Sequence, residues 1–311
     1  MRQPLFAKPL RLPPWAGAAM VGLAAVCFSA KAIMIKLAFA YHVDPLSLLF
    51  LRMTFSLPFF VVIPLLQKAR PDAPALRSTD YLKLAGLGVL GYYASSLLDF
   101  LGLQYVTAGL ERLILFVYPT LVVLLSWLIW RKPIGRREIV ALLLTYAGIA
   151  VVFSHDAVRL QPNVLLGALL IFGSAFTYAV YLIGSGRLIP RFGAVAFTAY
   201  AMTVSALSVI LHYLIASPTS VFQFPPEVFW FGLALAIVST VIPTFLVSAG
   251  IKAIGASRAA IVASIGPVVT IALGYFFLRE PVTLYEIAGT ALVLAGVLMV
   301  SVKKEREAVK A

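Results

Sequence analysis

Charge is scarce in this sequence: 12% of its 311 residues are Asp, Glu, Lys or Arg, against about 25% in soluble domains. With 62% apolar residues and a mean hydropathy of +1.00, the chain takes lipid as its solvent. Cysteine is reduced to Cys27, so no disulfide can join two points of one chain. Inside an apolar run, Cys27 reads as a small buried hydrophobe. His42, His155 and His212 fall at the edges of apolar runs and share no metal-ligand spacing, so no metal site is expected. No GxxxxGK[ST] loop occurs, which removes ATP as the direct energy source, and no cofactor is called for. Acid is scarcer than base, and the resulting +13 would suit nucleic acid. The bases instead cluster beside the apolar runs, where membrane orientation puts them, and nucleic acid is set aside.

The apolar runs are long and unalternating, which excludes a barrel and predicts membrane-spanning helices of about 20 residues each. Ten spans are expected, at 16–40, 46–66, 82–106, 108–130, 138–154, 164–186, 193–215, 228–250, 257–278 and 284–302. The first is too long for a signal-peptide core and reads as a retained span.

Residues 102–153 are written a second time at 250–301. Without a gap, Gly102 matches Gly250, Pro119 matches Pro267, Arg131 matches Arg279, Glu138 matches Glu286 and Gly148 matches Gly296, all at an offset of 148. Matching Pro, Gly, Arg and Glu separate this from mere likeness of apolar composition and point to duplication. The domain reading is a tail at 1–15, a first repeat at 16–154, a second at 164–302 and a charged tail at 303–311. Five spans per unit is an odd number, so the second copy stands inverted relative to the first. The expected fold is therefore all-α, ten transmembrane helices in two inverted five-helix repeats. Counted by side, 19 of the 25 Lys and Arg lie with the two termini and 3 lie opposite, which predicts cytoplasmic termini.

Ionisable groups inside the spans are few: Lys31, Lys36, Arg52, Asp99, Glu111 and Arg112. From each span's centre at 1.5 Å per residue, the first five fall roughly 5 to 12 Å from the midplane, all toward one side. Their counterparts at the same offset, Ala179, Gly184, Tyr200, Val247, Ala259 and Ala260, carry no charge. Asp99 shares a stripe with Gly88, Tyr92 and Ser95 or Ser96; a second stripe holds Ser174, Tyr178, Tyr181 and Ser185; a third holds Thr240, Thr244 and Ser248. Such stripes either line a watery cavity or join helices by hydrogen bonds. Pro119 and Pro267 sit at the centres of spans 4 and 9, where they are expected to break the helix and either face a cavity or only shape the packing.

Three stretches, FSAKAIMIKLAFAYHVDPLSLLFLRM, LERLILFVYPTLVVLLSWL and ASRAAIVASIGPVVTIALGYFFLREPVTLYEIAGTALVLAGVLM, resemble the EamA-domain family of the drug/metabolite transporter superfamily, with two EamA repeats. The resemblance runs from Ala16 to Ser301. Phe28 and Ser29 depart from the Trp-Gly frequent in that family, and Lys132 stands where the second repeat has Glu280. The resemblance implies no enzyme but a permease of the bacterial inner membrane that alternates access between two five-helix bundles.

The function expected is secondary transport, read as export, of a small polar metabolite such as an amino acid or a related anion or zwitterion. Charges on the first four spans sum to +2, which favours such a ligand. Arg52, with its planar fork, is the candidate anion contact. Tyr92, Ser96, Tyr118, Tyr178 and Thr244 complete the expected substrate site. Lys31, Lys36, Asp99 and Glu111 form the expected charged cluster. In it Asp99 either exchanges a proton with the cycle or is a structural partner of Lys31, Lys36 or Arg52. An uncoupled facilitator of metabolites or amphipathic drugs is the alternative. An intramembrane lipid-modifying enzyme is a third reading, opposed by the lack of a histidine near the charged group. The partners expected are the metabolite, the bilayer and a proton, with a homo-oligomer left open.

Overall fold

The structure, a computed structural model, describes residues 13–66, 76–131, 134–159, 163–216 and 220–308. Ten helical spans follow in order: α1 (Pro14–Phe39), α2 (Pro45–Leu66), α3 (Ser78–Gly102), α4 (Ala108–Trp130), α5 (Arg136–Arg159), α6 (Val164–Phe192), α7 (Ala194–Ala216), α8 (Pro226–Ile254), α9 (256–278) and α10 (Leu284–Ala308). Among the described residues, nine helices are long and apolar enough to cross a membrane, and the apolar part of α10, Leu284–Met299, is shorter. The segment 1–12, Lys68, Arg70, Lys132 and residues 309–311 lie outside the described residues.

The ends follow local chemistry. Pro14 opens α1 where a missing N–H costs nothing, and the Asp44 carboxylate accepts from Ser47 N–H at the start of α2. Glu138 accepts from Gly135 N–H, and its repeat partner Glu286 accepts from Thr283 N–H, so α5 and α10 begin on the same cap. Arg131 and Arg279 both end their helices in the left-handed region, at φ 51° and 56°. Several boundaries differ from the sequence expectation: α5, α6 and α8 run on to Arg159, Phe192 and Ile254, while α3 stops at Gly102 instead of 106, because residues 103–106 turn the chain and Thr107 caps α4 through Leu110 N–H. Asp99 thereby sits only three residues from its helix end.

Irregular turns recur at the repeat offset. A wider π-helical stretch at Val89–Ala94 of α3 is matched by one at Ile237–Val241 of α8. Helix α4 breaks after Leu115 and restarts at Tyr118, and α9 breaks after Ala263 and restarts at Gly266. Pro119 and Pro267 each occupy the second position of the restarted helix, where the ring meets no preceding turn and needs no N–H partner.

The repeats are not the packing units. Helix α1 packs on α8 and α9 of the other repeat, and α6 packs on α3 and α4, while α2 meets α7 and α5 meets α10. This pairing is what a two-fold axis relating the repeats requires. It corrects the picture of two bundles of five consecutive helices: α1, α8 and α9 form one group and α6, α3 and α4 the other. Small residues set the crossings. A Cβ on Gly148 would come within 2.6 Å of the Gly289 carbonyl oxygen, and one on Gly296 within 2.6 Å of that of Ala141, a contact reproduced at the offset of 148. The crossing glycines Gly102 with Gly167 and Gly250 with Gly17 do the same for α3–α6 and α8–α1. They put Gly17 and Gly167 in equivalent places, an offset of 150, so α1 and α6 are out of register with the other spans by two residues. The counterparts of Lys31 and Lys36 become Tyr181 and Gly186 rather than Ala179 and Gly184, and remain uncharged.

Candidate functional site

Between the two groups lies a cavity of about 340 Å³, at the small end of ligand sites. The side chains expected to bind substrate, Arg52, Tyr92, Ser96, Tyr118, Tyr178 and Thr244, all line it, together with Lys31 and Asp99. Phe28, Ser95, Arg112, Phe116, Ser174, Thr240 and Val247 complete most of the wall. Pro119 and Pro267 are not in it, so their breaks shape the path of α4 and α9, while Tyr118, beside the first break, presents its ring. The stripes divide. Ser174, Tyr178, Thr240 and Thr244 face the cavity, whereas Tyr181 is buried with its hydroxyl donating to Tyr92 at 3.2 Å, and Ser185 and Ser248 donate to Leu182 and Thr244 carbonyls of their own helices. Of the uncharged counterparts only Val247 reaches the wall; Gly184 packs on Leu87 and Tyr200 faces outward.

The charges sort into two clusters. In the first, the Lys31 ammonium donates to Asp99 Oδ2 at 2.6 Å and stands 3.2 Å from Glu111 Oε1, so two buried carboxylates share one cation. Among the described residues, Asp99 Oδ1 and the Glu111 oxygens have no hydrogen-bond partner, which leaves Glu111 its ion pair with Lys31. In the second, Lys36 donates to the Val106 carbonyl at 2.6 Å and stands 3.6 Å from Glu280, whose two oxygens accept from Ala108 N–H at 3.1 Å. Lys36 therefore stands apart from the cluster in which the sequence grouped it, and it does not line the cavity.

Arg52 pairs with no carboxylate. Its Nε donates to Thr240 Oγ1 at 2.8 Å, Nη1 reaches Ser96 Oγ at 3.5 Å, and the guanidinium lies 5.5 Å from the Phe100 ring centre. Arg112, which sequence reasoning counted with the charges but did not assign to the substrate site, is the second guanidinium on the wall. It lies 5.3 Å over Phe116, and its buried Nε has no hydrogen-bond partner among the described residues. The signal that would have found it was its place one residue after Glu111, one helical turn before the break preceding Pro119. Tyr118 stands edge-on to Tyr178 at 5.4 Å, and Tyr178 stacks on Tyr181 at 5.7 Å, giving the cavity an aromatic side. Guanidiniums and tyrosine rings on the wall of one chamber suit an anionic group attached to an apolar or ring-bearing body.

Two interleaved repeats of membrane-length apolar helices around a central chamber make this a multi-pass membrane protein. The EamA-like transporter family model matches residues 15–154 and again 165–302, and the chain belongs to that family. Among its relatives it is 33% identical over 279 residues to "Uncharacterized transporter YcbK" of Bacillus subtilis (strain 168), covering 88% of this chain and 89% of that one. An "Uncharacterized transporter" of Archaeoglobus fulgidus is 28% identical over 289 residues, 92% of this chain and 98% of its own. A solved crystal structure superposes with a TM-score of 0.61 at 18% identity, covering 93% of this chain and 98% of that one; this likeness shows the fold.

Proposed function

We propose that the protein is a secondary transporter that exports a small carboxylate-bearing metabolite, an amino acid or related anion, across the bacterial inner membrane with both termini in the cytoplasm. What carries the reading is Arg112: a buried guanidinium Nε without a hydrogen-bond partner among the described residues, on the wall of a chamber that also holds Arg52, is suited to an anion supplied from outside the chain. Tyr92, Tyr118 and Tyr178 accept the body of the ligand, and Ser96 and Thr244 supply hydroxyls. Proton coupling follows from the carboxyl pair. With Lys31, the group carries a net charge of −1 when Asp99 and Glu111 are both ionised and zero with one proton aboard, so a proton and an anionic ligand alter the same local field. Orientation rests on the 19-to-3 distribution of Lys and Arg.

Purified protein is screened for thermal shift against carboxylates, amino acids and amines. A ligand of the folded state raises the melting temperature, and carboxylates are expected to do so while simple amines do not. Flux of that ligand in proteoliposomes with and without a pH gradient separates coupled transport from a facilitator. Stabilisation by amines alone refutes the anion site. A reporter active only in the periplasm, fused to Ala311, is expected to be silent.

A further inference from the structure

Several polar contacts join the α1–α8–α9 group to the α6–α3–α4 group, and they gather toward one end of the molecule. Lys31 of α1 reaches Asp99 of α3 and Glu111 of α4, Lys36 of α1 reaches the Val106 carbonyl, and Glu280, which follows α9, reaches Ala108 N–H. The turn between α3 and α4 lies at this end. Asp80 of α3 and Arg191 of α6, at the opposite end, belong to the same group and do not cross between the two. The outermost of the crossing contacts is Glu280. Its carboxylate accepts from the first N–H of α4 with both oxygens and lies 3.6 Å from the Lys36 ammonium, which is itself tied to the α3–α4 turn.

We infer that Glu280 is the latch of a gate at the α3–α4 end, holding the N-terminus of α4 and the outer part of α1 together, and that its release opens the chamber on that side. The inference deepens the transport reading by assigning a gate to one end. A carboxylate on a helix N-terminus gains from the unpaired N–H groups there, and a nearby ammonium adds to the attraction, so the latch is strong while closed yet held by one side chain. The same position in the sequence of the first repeat is Lys132, whose charge is of the wrong sign to hold a helix N-terminus, so the sequence does not repeat this carboxylate. The protein therefore rests closed at the α3–α4 end, which the proposed orientation makes the periplasmic one.

The test reads access and needs no substrate, so it stands or falls apart from the ligand assignment. In a Cys27→Ser background, Ser95→Cys places one thiol on the chamber wall. A membrane-impermeant maleimide is added from the side of the α3–α4 turn to full-length protein in sealed vesicles of known orientation. Glu280→Gln is expected to raise the labelling rate roughly tenfold, since a charge-assisted contact is lost. Lys36→Gln is expected to raise it by less, and Asp80→Asn not at all. Glu280→Asp, shorter by one methylene, is expected to fall between Gln and the unaltered residue. If Glu280→Gln folds poorly, Lys36→Gln decides the matter. Unchanged labelling in whichever of these variants folds, or a rise seen only from the opposite side, overturns the latch.

Discussion

At residue 102 and again at residue 250 a glycine lets its helix, α3 or α8, touch one from the other repeat, and 13 residues later the next helix, α4 or α9, breaks before a proline. Between those shared points the halves part: Glu111 and Arg112 in the first stand where Ala259 and Ala260 stand in the second. The difference separates two kinds of constraint. Close backbone approach is needed wherever two helices cross, so a two-fold fold needs its glycines twice. A buried charge is costly in each copy and useful in one, so a single cluster suffices.

The largest expected effect tests the charged half. Lys31→Met leaves Asp99 and Glu111 facing one another without their cation, and removal of one partner from a buried pair costs about 3–5 kcal/mol. The counterpart on α6, Tyr181, donates its hydroxyl to Tyr92 and holds no ion pair among the described residues, and Tyr181→Phe is expected to cost about 0.5–1.5 kcal/mol. Thermal melting of the detergent-solubilised proteins reads both, and equal losses would break the contrast. The scaffold has the opposite signature. Gly148→Ala and Gly296→Ala each push a methyl to 2.6 Å from a carbonyl oxygen across the α5–α10 crossing. Each is expected to cost about 1–3 kcal/mol, and the two costs are expected to be alike.

Much of this fold was legible because lipid makes sequence speak plainly: ten apolar runs, an odd count per repeat and one offset gave the topology. What the sequence hid was spatial. The offset of 148 reads as uniform, but Gly17 and Gly167 touch their partners at an offset of 150, a slip that no ungapped alignment shows. The exchange of α1 and α6 between repeats is likewise invisible in linear order, which is why five consecutive helices looked like a bundle. At the site, side-chain type was a good guide to the wall, since charged side chains such as arginine rarely face lipid. It misgrouped Lys36, because depth in the membrane is not direction around the helix, and Lys36 turns to Val106 and Glu280. Glu280 was visible only as the counterpart of Lys132. Its role depends on a helix terminus that the sequence placed one residue beyond an unbroken α3.

A smaller effect concerns ligand binding. Arg112→Gln keeps a polar side chain but shortens it and removes the charge, and is expected to weaken carboxylate binding roughly tenfold or more. It reads as a smaller ligand-induced thermal shift at fixed concentration. Ala260→Gln, at the matching position of the second repeat, is exposed and is expected to leave that shift unchanged. A comparable loss from both variants would mean that the substrate site follows the two-fold after all.

The smallest effect is expected at the helix starts that bracket the same comparison. Thr107 accepts from Leu110 N–H at the head of α4, while its counterpart Gly255, at φ 83° and ψ 157°, offers α9 no side-chain cap. That backbone is one glycine adopts without strain, so the second repeat has no place for a threonine. Thr107→Gly makes the first repeat like the second and gives up one hydroxyl cap, for which glycine is the mildest replacement: a few tenths of a kcal/mol. Because Glu280 still holds Ala108 N–H, the start of α4 keeps a partner, and the melting temperature should scarcely move. Combining Thr107→Gly with Glu280→Gln removes both supports from one helix end, and groups that share a partner do not add independently. The double variant should therefore lose more stability than the two single losses summed. Simple additivity would mean that threonine and glutamate act on α4 separately, and that the latch does not depend on how the helix begins.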